Sequence, residues 1–520
     1  MIQLMDVSTI SFSTIKNAFR GDNLKARCAR SSIVLGMGAT IAKGSGFASK
    51  VILTRLLVPE VMGLMVLILS ITALLGVLTE VGIKQSVIQN KSGAQSEYLN
   101  MAWWFQGLRG IGLYAVGFFV APLLCRFYFA DKSEILTLYS MPELVALVRT
   151  AFLAFLFGGI VSPRAHVLEK QFRFGKAVFL SQGSAVLGSA VTIVLAFAMR
   201  NIWAVIIGFI SMGVLRCLFS YILCPFRPRL SFDRPSFKEI SRFARGMLGL
   251  PVLTYIAFNI DVLVAGKLVS TSLVGFYGMA LALAFAPRDL FARIINPILL
   301  PAFAEKQDHR EALCIAIVKI TKFTALFGFP LVALAIICSK SILTIVYGVE
   351  YSAVAIPFGL LCVYILLLIQ GSILGTVFFS IGQPGKHRLF VGLRALILIV
   401  FIYPAIKLFG LTGAAVVVVL ASSAAMCVQV AVIRKTIGLN IFDYAISWLP
   451  GLVLAIPVLA VVLVVRGLTP DSPMVHLVVG LLSCIVVCGI GLLLPKFLDK
   501  RRQHEQVDAA AAEIVRGEEA

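Results

Sequence analysis

The chain has 520 residues, of which 59% are hydrophobic and 14% charged, with 46 Lys or Arg against 25 Asp or Glu and a formal net charge of +21. A mean hydropathy of +0.97 excludes a soluble globule. Apolar runs of about 20 residues recur, the length that crosses a bilayer core as helix. The alternating segments of about 10 residues that mark an outer-membrane barrel do not dominate, so the fold class is an all-α polytopic membrane protein.

In chain order, residues 1–30 read as a basic cytoplasmic leader with Lys16, Arg20, Lys25, Arg27 and Arg30, and Ile10, Phe12, Ile15 and Phe19 give it a weak apolar face. No apolar core precedes residue 31, which argues against a cleaved signal peptide, and a lead-in to the first helix is favoured over a transit peptide. Membrane helices are expected near 31–53, 62–83, 101–124, 142–162, 177–198 and 201–223. A second series follows near 246–267, 273–300, 312–337, 355–381, 388–409, 411–433, 444–465 and 475–495. That makes about 14 helices: two pseudo-symmetric six-helix lobes, 31–223 and 246–433, and an additional pair, 442–495. The stretch 273–300 holds Pro287 and Pro297 and runs up to Pro301, which predicts a kink or re-entrant end. Residues 496–520 are a polar tail.

Lys and Arg crowd into the leader, the tail and the connectors 84–100, 163–176, 224–245, 302–322, 382–394 and 434–443, and are sparse in the opposite set. Cytoplasmic loops carry that excess, so both termini are expected to face the cytoplasm. The positive charge is then a topological signal, and no nucleic-acid partner is expected. Trp103, Trp104 and Trp203 stand where helices begin and fit interfacial anchoring. Ten cysteines without a CxxC pair and five histidines without ligand spacing predict neither metal nor cofactor. Cys484 and Cys488, one turn apart, read as packing residues. No nucleotide-binding or nucleophile motif is present, and the connectors leave no room for a soluble catalytic domain.

Residues 224–280 are the seam between the lobes. They open with a basic linker, 224–245, and then carry Asn259 and Asp261 in an apolar run. A repeat straddles this seam: Arg55 precedes Gly63 by eight residues, and Lys267 precedes Gly275 by eight. In each case a cation at the end of one helix is followed by a glycine that starts the next, as in transporters built from repeated bundles.

The segment Leu53-Thr-Arg-Leu-Leu-Val-Pro-Glu60-Val-Met-Gly63-Leu, followed by Thr79-Glu-Val-Gly82-Ile-Lys-Gln-Ser-Val-Ile-Gln89, resembles the opening of the polysaccharide transporters of the multidrug/oligosaccharidyl-lipid/polysaccharide exporter superfamily. Asn259-Ile-Asp261 with Gly266, then Gly275-Phe-Tyr277 and Ala280, is similar to that family's seventh-to-eighth-helix signature. Gly382-Gln-Pro-Gly385-Lys and Phe409-Gly410-Leu-Thr-Gly413 resemble its turns, so the likeness covers about residues 30 to 435. The resemblance implies a bacterial inner-membrane flippase of Wzx-like type, moving lipid-linked oligosaccharide for O-antigen, capsule or exopolysaccharide. It also implies a polyprenyl pyrophosphate-linked oligosaccharide and membrane lipid as partners, together with polymerase and glycosyltransferase machinery.

Charges inside apolar helices carry the remaining chemistry. Lys43 and Lys50, seven residues apart, share a helix face at about 10 Å separation. Arg109, Arg149, Asn259 and Asp261 complete the candidate lining of a substrate cavity. Lys43 or Arg109 reaching for an interface is the bland alternative, and Arg288, Asp289 and Arg293 read better as local charges, with Asp289 pairing with Arg293 one turn away. For Lys50 and Arg149 the cavity is the better reading, while Asp261 stays open between an ion or proton site and a structural pair. Glycines at helical spacing, such as Gly183 with Gly188 and Gly371 with Gly375, read as close packing. The expectation is a transporter rather than an enzyme. Its rivals are a cation or drug antiporter, which should show more acidic lobes, and a glycan polymerase, which should carry a sizeable outer loop.

Overall fold

The computed structural model describes residues 24–493 except 81, 172, 173, 230, 231, 248, 470 and 471. The leader up to residue 23 and the tail from residue 494 lie outside them. Among the described residues there are helices and no strands. The long ones are α1 (Leu24–Leu56), α2 (Pro59–Leu78), α3 (Ser96–Phe129), α4 (Met141–Gly159), α5 (Gly175–Met199) and α6 (Ile202–Leu223). They continue with α7 (Leu250–Leu268), α8 (Thr271–Ile294), α9 (Arg310–Ile337), α10 (Ala355–Ser380), α11 (Pro384–Ile437), α12 (Leu449–Leu468) and α13 (Pro473–Leu493).

Twelve helices among the described residues, α2 to α13, are long and apolar enough to cross a membrane. α1 is long enough but not apolar enough to be counted with them. The 54-residue α11 is interrupted at Gly410, whose φ of 59° and ψ of −146° are not helical. A residue with a side chain would be strained there, so glycine sets the break. α8 also stops where the prolines predict, at Ile294, and a short helix resumes at Asn296–Ala304 with Pro297 in its first turn.

The ends follow from local chemistry. Proline occupies the first turn of α2, α4, α7, α11 and α12, where a missing N–H costs nothing. Ser140 and Glu143 form a capping box on α4, and the Asn201 side chain accepts from Trp203 N at 3.1 Å to start α6.

By its internal contacts the chain divides into two compact units. One comprises residues up to Met279 with Leu398–Gly410; the other comprises Ala280–Ile397 and the chain from Leu411. In the first unit, Ile83, Val87, Tyr98, Leu99, Met101, Ala102, Val167 and Ile240 form one buried cluster. Ile240 belongs to the linker helix Arg234–Met247, which buries Ser236, Ile240 and Ala244 on one stripe and exposes Lys238, Arg242 and Arg245. Trp103 and Trp104 secure the entry to that linker: their indole nitrogens donate to Tyr221 Oη at 2.9 Å and to the Arg229 carbonyl at 3.0 Å. In the second unit, Cys484 and Cys488 pack with Leu334, Val458 and Val462. Gly188 and Gly375 sit in close helix contacts, since an added Cβ would lie 2.7 Å from Met212 and 3.1 Å from His387. Gly183 and Gly371 meet nothing nearer than 3.5 Å.

The two repeat glycines face each other inside the first unit. A Cβ on Gly63 would stand 1.8 Å from the Thr271 carbonyl oxygen, and one on Gly275 would stand 2.7 Å from the Gly63 nitrogen. α2 and α8 therefore begin backbone against backbone, an approach that only small residues permit.

Candidate functional site

Six side chains are expected at the site. α1 presents Lys43 to the surface and holds Lys50 half-buried. Arg149, half-buried on α4, is fixed by α3: its Nε donates to the Phe118 carbonyl at 3.1 Å, and its guanidinium lies 3.8 Å from the Phe118 ring centroid. Such a cation–π contact is worth about 0.5–2 kcal/mol and holds the planar group in place. The two terminal nitrogens of Arg149 make no hydrogen bond among the described residues, which leaves a preset fork for an oxyanion.

Arg109 is placed differently. Its Nε donates to Thr79 Oγ1 at 3.0 Å and Nη2 to the Gly76 carbonyl at 2.5 Å, with Glu80 Oε2 at 3.3 Å. It thus satisfies a carbonyl left over at the end of α2.

Asn259 and Asp261 lie on α7. The Asn259 amide donates to its own helix, at Tyr255 O, 3.3 Å away. Asp261 is buried and accepts the Tyr277 hydroxyl at 2.7 Å. Tyr255, one turn and a half earlier, donates its hydroxyl to the Ser70 carbonyl on α2 at 2.5 Å. The carboxylate is therefore part of a polar seam joining α2, α7 and α8. The tyrosine was quoted in the sequence only as part of a pattern, and its pairing with Asp261 across a helix corner has no periodic signal.

The connector between α3 and α4 holds functional-looking groups that the sequence reading passed over. Lys132 is buried and donates to the carbonyls of Gly266, at 2.5 Å, and Val269, at 2.8 Å, at the end of α7. Burial pushes its ammonium down to about 8, with Glu134 opposing the shift and Lys267 adding to it. Glu134 accepts from Thr271 N, Lys267 pairs with Asp131 at 2.9 Å, and Glu60 accepts from Ser272 at 2.9 Å. Together these groups bind the corner before α2 and the α3–α4 connector to the corner between α7 and α8. Their signal was charge in a short connector.

In the second unit Arg394 is buried on α11, with Nη2 on Tyr364 Oη at 2.5 Å. In the sequence it falls at the end of the basic connector 382–394 and reads there as a topological charge. Arg288 lies 3.9 Å from Asp289, its neighbour in sequence. Arg216 on α6 acts electrostatically on Glu169 and His166, and burial, aided by Arg216 and Lys84, pushes the His166 imidazole down to about 4. Among the described residues no three His, Cys, Asp or Glu side chains converge as a metal site.

Residues 52–356 match the family described as polysaccharide biosynthesis protein. The chain is 25% identical over 438 residues to the lipopolysaccharide biosynthesis protein WzxC of Escherichia coli (strain K12), covering 82% of this chain and 85% of that protein. It is 23% identical over 320 residues to the succinoglycan biosynthesis transport protein ExoT of Rhizobium meliloti (strain 1021), covering 61% and 62% of the two chains. In fold it is similar to the lipid II flippase MurJ in an inward closed conformation, with a TM-score of 0.70 at 15% identity, over 88% of this chain and 98% of that one. An inward-facing multidrug resistance MATE transporter gives a TM-score of 0.57 at 18% identity, over 78% and 98%.

Proposed function

The chain belongs to the polysaccharide biosynthesis protein family, and from that membership we propose that it is a flippase carrying lipid-linked oligosaccharide across a bacterial inner membrane by alternating access. A pyrophosphate or acidic sugar does not cross hydrocarbon unaided, because an ion loses far more solvation there than it regains. A fixed cation in the path offsets part of that cost. The observation that carries the reading is Arg149, clamped on Phe118 within the apolar helices and with its terminal nitrogens turned to no protein acceptor among the described residues. Lys50 and Lys43 add positive charge from α1. WzxC and ExoT, named for lipopolysaccharide and succinoglycan biosynthesis, support glycan rather than drug as the cargo.

We further read α1 and the two arms of α11 as separate crossings, which with the other eleven helices makes fourteen, both termini being cytoplasmic. Lobes 31–223 and 246–433 would then exchange access, with 442–495 as the added pair and 224–245 as the linker. On that reading the contacts of Gly63 with Gly275 and of Lys132 with α7 would lie at the outer ends of these helices, as a closed outer gate requires. The buried Asp261–Tyr277 pair favours coupling to a proton or cation. Glycosyltransferase and polymerase would act before and after the transport step respectively, as separate proteins.

Depletion of the protein in a glycan-producing cell tests the reading. Complete lipid-linked units should accumulate on the cytoplasmic leaflet. Units that reach the outer leaflet normally but stay unpolymerised would make the protein an enzyme of polymerisation instead.

A further inference from the structure

A cavity of about 190 Å³ opens in the second unit, lined by none of the charges discussed above. Its walls come from three places: the short helix Ser339–Val346 after α9, the last turn of α12 and the first turn of α13. The polar lining is Lys340, Ser341, Thr344, Arg466 and His476. Lys340 and Arg466 make no ion pair or hydrogen bond with any described residue, and the lining holds no carboxylate.

We propose that this cavity binds a phosphate group, and that the phosphate is the headgroup of a membrane lipid lying against α12 and α13.

Three observations converge on it. The first is charge placement. A cation in the last turn of α12, where Arg466 stands, is favoured by the helix dipole, but Lys340 sits in the first turn of its helix, where the dipole disfavours it. An anion between the two removes that conflict and finds the Ser341 and Thr344 hydroxyls on the same wall.

The second is size. The cavity's volume of about 190 Å³ is well below the roughly 300–1,000 Å³ of a pocket for a drug-sized ligand. A phosphate group fits that space.

The third is the surroundings. Val464 and Leu468 beside Arg466, and Met474 and Val478 beside His476, are 62%, 76%, 60% and 50% exposed. Acyl chains attached to a phosphate in the cavity would cover this apolar surface. The walls are also fixed in place: the His476 ring nitrogen is 2.7 Å from the Thr469 carbonyl, and Cys338 Sγ lies 3.7 Å from the His476 carbonyl it donates to.

The test compares the purified full-length protein with Lys340→Gln/Arg466→Gln and Lys340→Arg/Arg466→Lys, all in detergent. Fluorescent phosphatidylglycerol, diacylglycerol without phosphate, and inorganic phosphate are titrated in turn. Both cations are exposed, so the variants should elute as the parent does on size exclusion. The glutamine pair should weaken phosphatidylglycerol binding about tenfold or more, the loss of about 1.4 kcal/mol or more, and the charge-conserving pair should retain most of it. Diacylglycerol should bind the parent and the glutamine pair alike. Inorganic phosphate binding as tightly as the lipid would overturn the lipid as its source. Phosphatidylglycerol binding that is equal in all three proteins would overturn the site.

Discussion

At the level of single residues, cations that build the protein differ from those proposed to meet cargo. Arg109 belongs to the first kind. Arg109→Gln should lower stability by about 1–2 kcal/mol, from a lost carbonyl hydrogen bond and a partly screened ion pair with Glu80, and abundance in the membrane would report it. Lys50→Gln and Arg149→Gln are expected to spare insertion and abundance while depressing transport. If these side chains faced lipid, the same changes would relieve a cost of a few kcal/mol and leave transport intact. Arg149→Lys refines the test, because lysine keeps the charge and loses the planar fork. Partial rescue would assign the effect to the field, and no rescue to forked contact with an oxyanion. All six candidate positions were legible as polar groups in apolar sequence. Their partners were not: Glu80 for Arg109, Phe118 for Arg149 and Tyr277 for Asp261 meet them across helices, and no residue spacing encodes such meetings.

At the level of elements, the repeat of cation and glycine was visible as an eight-residue spacing, but the facing of its two copies was not. The structure gives that spacing a physical reason. Gly63→Leu would drive a side chain into the Thr271 carbonyl, so it should destabilise by at least the 1–3 kcal/mol typical of overpacking and cut abundance sharply. Gly107→Ala is the control: nothing lies within 4 Å of its added Cβ, and the protein should be unchanged or slightly more stable. Lys132 gives a pH signature. Its ammonium is held at about 8 against 10.5 for an unperturbed lysine, so between those values the unfolded chain binds the extra proton. Stability contributed at this site should rise with pH from about 8 to about 10.5 and be flat below. Thermal unfolding in detergent should show the parent gaining on Lys132→Met across that window, and a constant difference would contradict the burial of the charge. The break at Gly410 was readable from Gly410-Leu-Thr-Gly413, whereas the α3–α4 connector looked like an ordinary loop because its role depends on what α7 brings to it.

At the level of the whole molecule, composition and run length alone identified a multi-pass helical membrane protein, since twenty apolar residues have few other fates. The division by contacts after Met279 falls within residues 224–280, whereas the grouping of Leu398–Gly410 with the first unit was not legible, because no local pattern marks it. Sidedness is open to direct test in a cysteine-free background. A cysteine at the exposed Pro228 should label only after permeabilisation, and one at Val349, 70% exposed, should label in intact cells; labelling from the same side would refute the fourteen-crossing arrangement. The central claim, transport of lipid-linked glycan, is tested most directly by reconstitution. Purified protein is placed in vesicles carrying polyprenyl pyrophosphate-linked oligosaccharide, and a membrane-impermeant glycosidase is added outside. The account expects the protected inner-leaflet fraction to be digested with the parent protein and to persist with the Lys50→Gln/Arg149→Gln variant. Protection by the folded parent protein equal to that of protein-free vesicles, under an imposed ion gradient as well as without one, would contradict it.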